Sequence, residues 1–131
     1  MLVTVASFLL QGALKLMETA KLEWQKGQGS TNENAVMRLK GKLSLETVNS
    51  FLPAMRQEPA KHLVLDMNGV TFMDSSGVGA LVSIFVTRKH AGKTLALANL
   101  TKQVIAVLQV SGLLKLIPVQ PTVEAAGSAS Q

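Results

Sequence analysis

The 131-residue chain sets 13 Lys and Arg against 8 Asp and Glu, a net charge of +5, with 47% hydrophobic residues, 16% charged residues and no cysteine. That length accommodates one domain with a core that needs no staples, and that composition excludes a disordered chain. The lack of cysteine excludes a disulfide framework, a thiol nucleophile and a thiolate metal site. Basic residues fall as scattered singles and pairs, Arg38 with Lys40 and Lys42 and Arg88 with Lys89 among them. They form no stripe interleaved with aromatics, so direct nucleic-acid binding is not expected.

The first segment, MLVTVASFLL, is apolar, yet no Lys or Arg precedes Lys15, and Gln11 ends the run far short of the roughly 20 apolar residues of a membrane span. It reads as an N-terminal extension, residues 1–18, that docks on the domain or swaps between copies. Ala20, Leu22 and Trp24 then alternate with Lys21, Glu23 and Gln25, the period of a half-buried strand. The polar stretch GQGSTNEN, residues 27–34, links it to a second strand over 36–40, making a hairpin. Ser44 is the expected cap of a helix to Gln57 with Leu45, Val48, Leu52 and Met55 on its buried stripe, and Pro53 inside it predicts a kink or an early stop.

LVLDM, residues 63–67, has the continuous apolar character of a central strand. Past TFMDSSG comes a helical stripe of Val78, Leu81, Val82 and Phe85, closed by the charged Arg88 and Lys89 and by Gly92 as C-cap. A strand over 94–98 follows, then a helix capped by Asn99 or Thr101 that carries Val104, Val107 and Leu108 and stops at Ser111-Gly112. A short strand over 115–118 and a weak helix after Pro121 complete the domain, residues 19–127, and leave 128–131 as a frayed tail. The order predicts an α/β fold: a mixed, mainly parallel sheet with helices mostly on one side.

Three catalytic patterns fail on inspection. AGKT, residues 91–94, ends like a phosphate-binding loop, but Thr87 stands where its first glycine belongs, and a helix precedes it where a strand should. Gly77, Gly79 and Val82 approach the dinucleotide fingerprint without its third glycine. A serine nucleophile at Ser75 or Ser76 would need a histidine, and His62 and His90 both belong at the opposite end of the sheet. The expectation is therefore a protein that is not an enzyme, with no cofactor and no metal site.

That leaves Asp74-Ser75-Ser76-Gly77 at a strand-to-helix junction. One side-chain oxygen suffices to cap a helix, so the second serine is available for another task, and a helix N-terminus tolerates a phosphate. The run LVLDMNGVTFMDSSGVGALV, followed by a Gly-Lys strand and VLQVSGLLKLIPV, resembles the STAS domain, the module of anti-sigma factor antagonists and of sulfate-transporter tails, over residues 20–126. The resemblance implies a cytoplasmic bacterial anti-sigma factor antagonist whose Ser75 is phosphorylated by a partner that is both serine kinase and anti-sigma factor. The phosphorylated form would let go of that partner. It implies a partner surface of Asp74, Ser75, Ser76, Gly77, Ser44 and Thr47, with homodimerisation left open. The alternative is a scaffold subunit of a membrane transporter or stress-signalling assembly, in which the serines are only structural. Where the family commonly has Gly-x-Leu-Asp, this chain has Gly41-Lys42-Leu43-Ser44.

Overall fold

The computed structural model describes residues 21–123. The N-terminal extension, the helix expected after Pro121 and the tail fall outside these residues or at their border. In chain order the elements are β1 (Leu22–Lys26), β2 (Asn34–Leu43), α1 (Val48–Arg56), β3 (His62–Met73), α2 (Ser75–His90), β4 (Thr94–Ala98), α3 (Lys102–Ser111), a 3-10 turn (Leu113–Lys115) and β5 (Val119–Gln120). Strands lie in sheet order β1-β2-β3-β4-β5, with β1 antiparallel to β2 and the remaining neighbours parallel. A sequential parallel order with right-handed crossovers brings each helix back over the same face, which is the one-sided architecture expected.

That face carries the main core. Leu63, Leu65 and Met67 of β3 and Leu95 and Leu97 of β4 meet Phe51 and Met55 of α1, Leu81 and Ile84 of α2, and Val104 and Leu108 of α3, all buried. Each of the larger aliphatic side chains contributes about 1.5–3 kcal/mol on leaving water. Trp24 closes one end by meeting Phe51 edge to face, with ring centroids 5.6 Å apart. On the opposite face, Val64, Ala96 and Ala98 form a separate small cluster with Val36 and Val123.

Several boundaries differ from the sequence expectation. β2 continues to Leu43 through two register irregularities, and β3 continues to Met73, because each strand extends the other's ladder beyond the apolar run that announces it. The final strand is Val119–Gln120 rather than 115–118, since Leu113–Lys115 forms a 3-10 turn that buries Leu113 and Ile117 first. Pro53 does not stop α1: Gln57 N–H still reaches the Pro53 carbonyl at 3.1 Å, and the helix ends there. Gly92, with φ of +75°, is the left-handed residue of a Schellman ending, in which Lys93 N–H donates to Arg88 O and Gly92 N–H to Lys89 O. This accounts for the glycine in AGKT without any phosphate.

Arg88 is the largest departure. Expected to mark the solvated end of α2, it is instead fully buried. Its Nε donates to Thr94 O at 3.0 Å, Nη1 to Glu58 O at 2.9 Å and Met55 O at 3.3 Å, and Nη2 to Ala60 O at 2.6 Å. The guanidinium thus gathers the end of α1, the loop into β3 and the start of β4. Burial lowers its pKa, while the nearby Glu58, itself paired with Lys26 at 2.8 Å, opposes that effect.

Candidate functional site

β2 and β3 end in register, Leu43 beside Met73, so the turns that follow them lie together at the carboxyl end of the sheet. One turn is Ser44–Thr47, the other Asp74–Gly77. Asp74 N–H donates to Leu43 O at 3.3 Å, and the two turns are joined by the Asp74 side chain. Its Oδ1 accepts from Gly77 N–H at 3.0 Å and its Oδ2 from Leu45 N–H at 3.2 Å.

Asp74 is therefore the cap of α2, in extended backbone conformation, and neither serine is spent on capping. Ser75 is exposed at the first helical position; Ser76 is half-buried; Gly77 is buried. The glycine has a steric reason: a Cβ there would stand 2.5 Å from Leu43 O and 2.8 Å from Met73 Cγ. D-S-S-G thus divides its labour into cap, exposed hydroxyl, supporting residue and close contact.

The Ser44 turn corrects the expectation for α1. Ser44 is not its N-cap. Thr47 occupies that position without a side-chain cap bond, because its hydroxyl is committed to the turn, donating to Lys42 O at 2.8 Å and accepting from Ser44 N–H at 3.0 Å. Both Ser44 and Thr47 are buried. Leu45, expected on the buried stripe, is 65% exposed, because the helix begins three residues later and the turn points it outward. Of the residues expected at a partner surface, Asp74, Ser75 and Ser76 are at least partly accessible, whereas Gly77, Ser44 and Thr47 support them from within.

The Ser44 hydroxyl donates to Glu46 Oε2 at 2.7 Å. That bond, aided by the backbone of Glu46, holds the carboxyl below its ordinary pKa, so an ionised carboxylate stands on this turn although Ser44 itself carries none. Beside the site, Phe72 is 42% exposed. Exposure of Leu45, which the helical spacing places on a buried stripe, and of Phe72 has no local signal in the sequence, because both stand inside apolar patterns.

Chemically the site offers a free hydroxyl, two carboxylates and two apolar side chains on fixed backbone. The histidines are remote from it: His62 opens β3, where Nδ1 lies 2.8 Å from Thr94 Oγ1, and His90 ends α2. Among the described residues, no group of three or more His, Cys, Asp or Glu is placed to hold a metal ion. Among them also, no helix is long and apolar enough to cross a membrane.

The STAS domain family model matches residues 28–126. The anti-sigma F factor antagonist of Paenibacillus polymyxa is 28% identical over 88 residues, covering 64% of this chain and 75% of that protein. Among solved structures, the anti-sigma factor antagonist SpoIIAA in its unphosphorylated form superposes with a TM-score of 0.64 at 26% identity, covering 82% of this chain and 96% of that one. The Bacillus protein in its phosphorylated form gives 0.61 at 26% identity, covering 83% and 100%. The murine solute carrier 26 member A9 anion transporter gives 0.70 at 19% identity over 98% of this chain but only 25% of its own, a likeness of fold. With its one-sided sheet, its D-S-S-G junction and a family match over most of its length, the chain belongs to the STAS domain family.

Proposed function

We propose that this protein is an anti-sigma factor antagonist that binds an anti-sigma factor serine kinase and is released when Ser75 is phosphorylated. The observation that carries the reading is the exposed Ser75 hydroxyl at the start of α2, left unused because Asp74 does the capping. Similarity to anti-sigma factor antagonists, one of them solved in a phosphorylated form, supports it. In this reading Ser75 Oγ attacks the γ-phosphorus of ATP held by the partner, ADP leaves, and the hydroxyl proton passes to a base of the partner. The protein is the substrate; the partner supplies nucleotide and catalysis, in the cytoplasm.

The surroundings of Ser75 suit both states. Leu45 and Phe72 offer apolar anchors to a protein partner in the unmodified state. A phosphate adds about −1.5 to −2 charges, and the α2 N-terminus accommodates it without unfolding. Inside a docked interface that charge is desolvated beside Asp74 and Glu46, which favours dissociation.

Incubation with the anti-sigma factor serine kinase and Mg-ATP, followed by mass spectrometry, tests the proposal. Phosphate is expected on Ser75, with Ser75→Ala unmodified and bound to the partner constitutively. Phosphate on Ser76 alone, or unchanged affinity after modification of Ser75, would sink it. A second reading, a scaffold in a transporter assembly, draws on the fold match that spans 98% of the chain in an anion transporter. It requires Ser75→Ala and Ser75→Asp to behave alike in every binding assay.

A further inference from the structure

β3 outlasts its neighbour. β4 pairs only with His62 to Asp66, so from Met67 onward β3 has β2 on one side and no strand on the other. At its last residue α3 takes the place of the missing strand. The Gln103 carboxamide accepts from Met73 N–H at 3.0 Å and donates to Met73 O at 3.2 Å. Both main-chain groups of one residue are satisfied by one side chain, as a paired strand would satisfy them. The next residue is Asp74, and the next is Ser75.

Gln103 is itself held in place. It lies in the first turn of α3, where Thr101 Oγ1 accepts from Val104 N–H at 3.3 Å. The chain enters that turn through Asn99, whose φ of 55° is left-handed and whose Nδ2 donates to Asp66 Oδ1 at 3.1 Å. Asp66 is the last residue of β3 that β4 pairs. A bridge of side chains therefore spans the unpaired half of β3, from Asp66 through the start of α3 to Met73.

We propose that Gln103 is the positioning residue for Ser75: it fixes the direction in which β3 delivers Asp74 and Ser75, and so how the hydroxyl is presented to a kinase. The inference rests on the phosphorylation reading above, and Gln103 does not touch the reacting atoms. Phosphoryl transfer needs the acceptor oxygen in line and within about 3–3.5 Å of phosphorus, so a displacement of about 1 Å costs up to a hundredfold in rate. Neither substitute tested keeps both bonds. Glutamate can still accept from Met73 N–H but repels the Met73 carbonyl, and leucine presents nothing.

The test uses Gln103→Leu and Gln103→Glu beside Ile84→Val, a buried control that loosens the core modestly without touching the site. In Gln103→Leu the Met73 amide should lose its protection from hydrogen exchange, and in Ile84→Val it should keep it. With the anti-sigma factor serine kinase and Mg-ATP, kcat at Ser75 should fall about tenfold to a hundredfold in the Gln103 variants. KM should change less than about threefold, because Leu45 and Phe72 still dock. Retained Met73 protection in Gln103→Leu, or an equal loss of kcat in Ile84→Val, overturns the proposal. Should the wild-type chain resist phosphorylation, the switch reading fails on its own, and exchange at Met73 still decides whether Gln103 holds the acceptor segment.

Discussion

The carboxylate of Asp74 accepts from the main-chain N–H of Leu45, 29 residues earlier in the chain, at 3.2 Å. Through this bond the residue that starts α2 also fastens the turn that leads into α1, so the serine and the exposed leucine belong to one rigid surface. A carboxylate manages both bonds because it has two acceptor oxygens; an amide has one.

Asp74→Asn should therefore satisfy either Gly77 N–H or Leu45 N–H, and Asp74→Ala neither. We expect one of these two amides to lose exchange protection in the Asn variant and both in the Ala variant, with a stability loss of about 1–2 kcal/mol for Ala and less for Asn. Two fully protected amides in Asp74→Asn would refute the double role.

Glycine substitutions at two positions of α2, two residues apart, should act in opposite directions. Gly77→Ala forces a Cβ to within 2.5 Å of a carbonyl oxygen and is expected to cost about 1–3 kcal/mol. Gly79 has open space around it, so Gly79→Ala should gain about 0.5–1 kcal/mol from helix propensity alone. Chemical denaturation of the two variants reads the sign directly, and a shared sign would contradict the packing described.

Arg88→Met fills similar space but abandons the carbonyls of Met55, Glu58, Ala60 and Thr94. Buried acceptors left without donors cost about 1–3 kcal/mol each, so a total loss of about 3 kcal/mol or more is expected. A midpoint shift equivalent to under about 1 kcal/mol would show that water replaces the guanidinium there.

The Glu46 carboxyl should titrate below an ordinary glutamate by nuclear magnetic resonance, and Ser44→Ala should move it back up, because the Ser44 hydroxyl is the leading cause of the shift. For an acid with a depressed folded pKa, the contribution to stability is present above the unfolded pKa and lost as pH falls through the folded one. Glu46→Gln should remove that part of the acid sensitivity. An unshifted Glu46 titration, or no response to Ser44→Ala, would mean that the hydrogen bond does not persist in solution.

The sequence by itself determined the features that depend on near neighbours. Alternation at Leu22 and Trp24, the apolar run over 63–67, a capped helix start at Asn99 or Thr101 and the glycine helix ends at Gly92 and Gly112 involve groups within a few residues, so propensity and spacing suffice. The junction at Asp74 was legible for the same reason, including the hydroxyl in excess of what a cap needs. Tertiary structure alone decided where the distant partners fall. Ser44 fits an N-cap by type, yet the ladder between β2 and β3 and the Thr47 hydroxyl delay α1, which turns Leu45 outward. Arg88 reads as a solvated helix end until four carbonyls from three segments converge on it. Gln103 reads as a surface helix residue until the shortness of β4 leaves Met73 without a strand partner. Each of these depends on a hydrogen bond between residues about 30 positions apart, and no local pattern records such a bond, because its energy appears only once the sheet has brought both ends together.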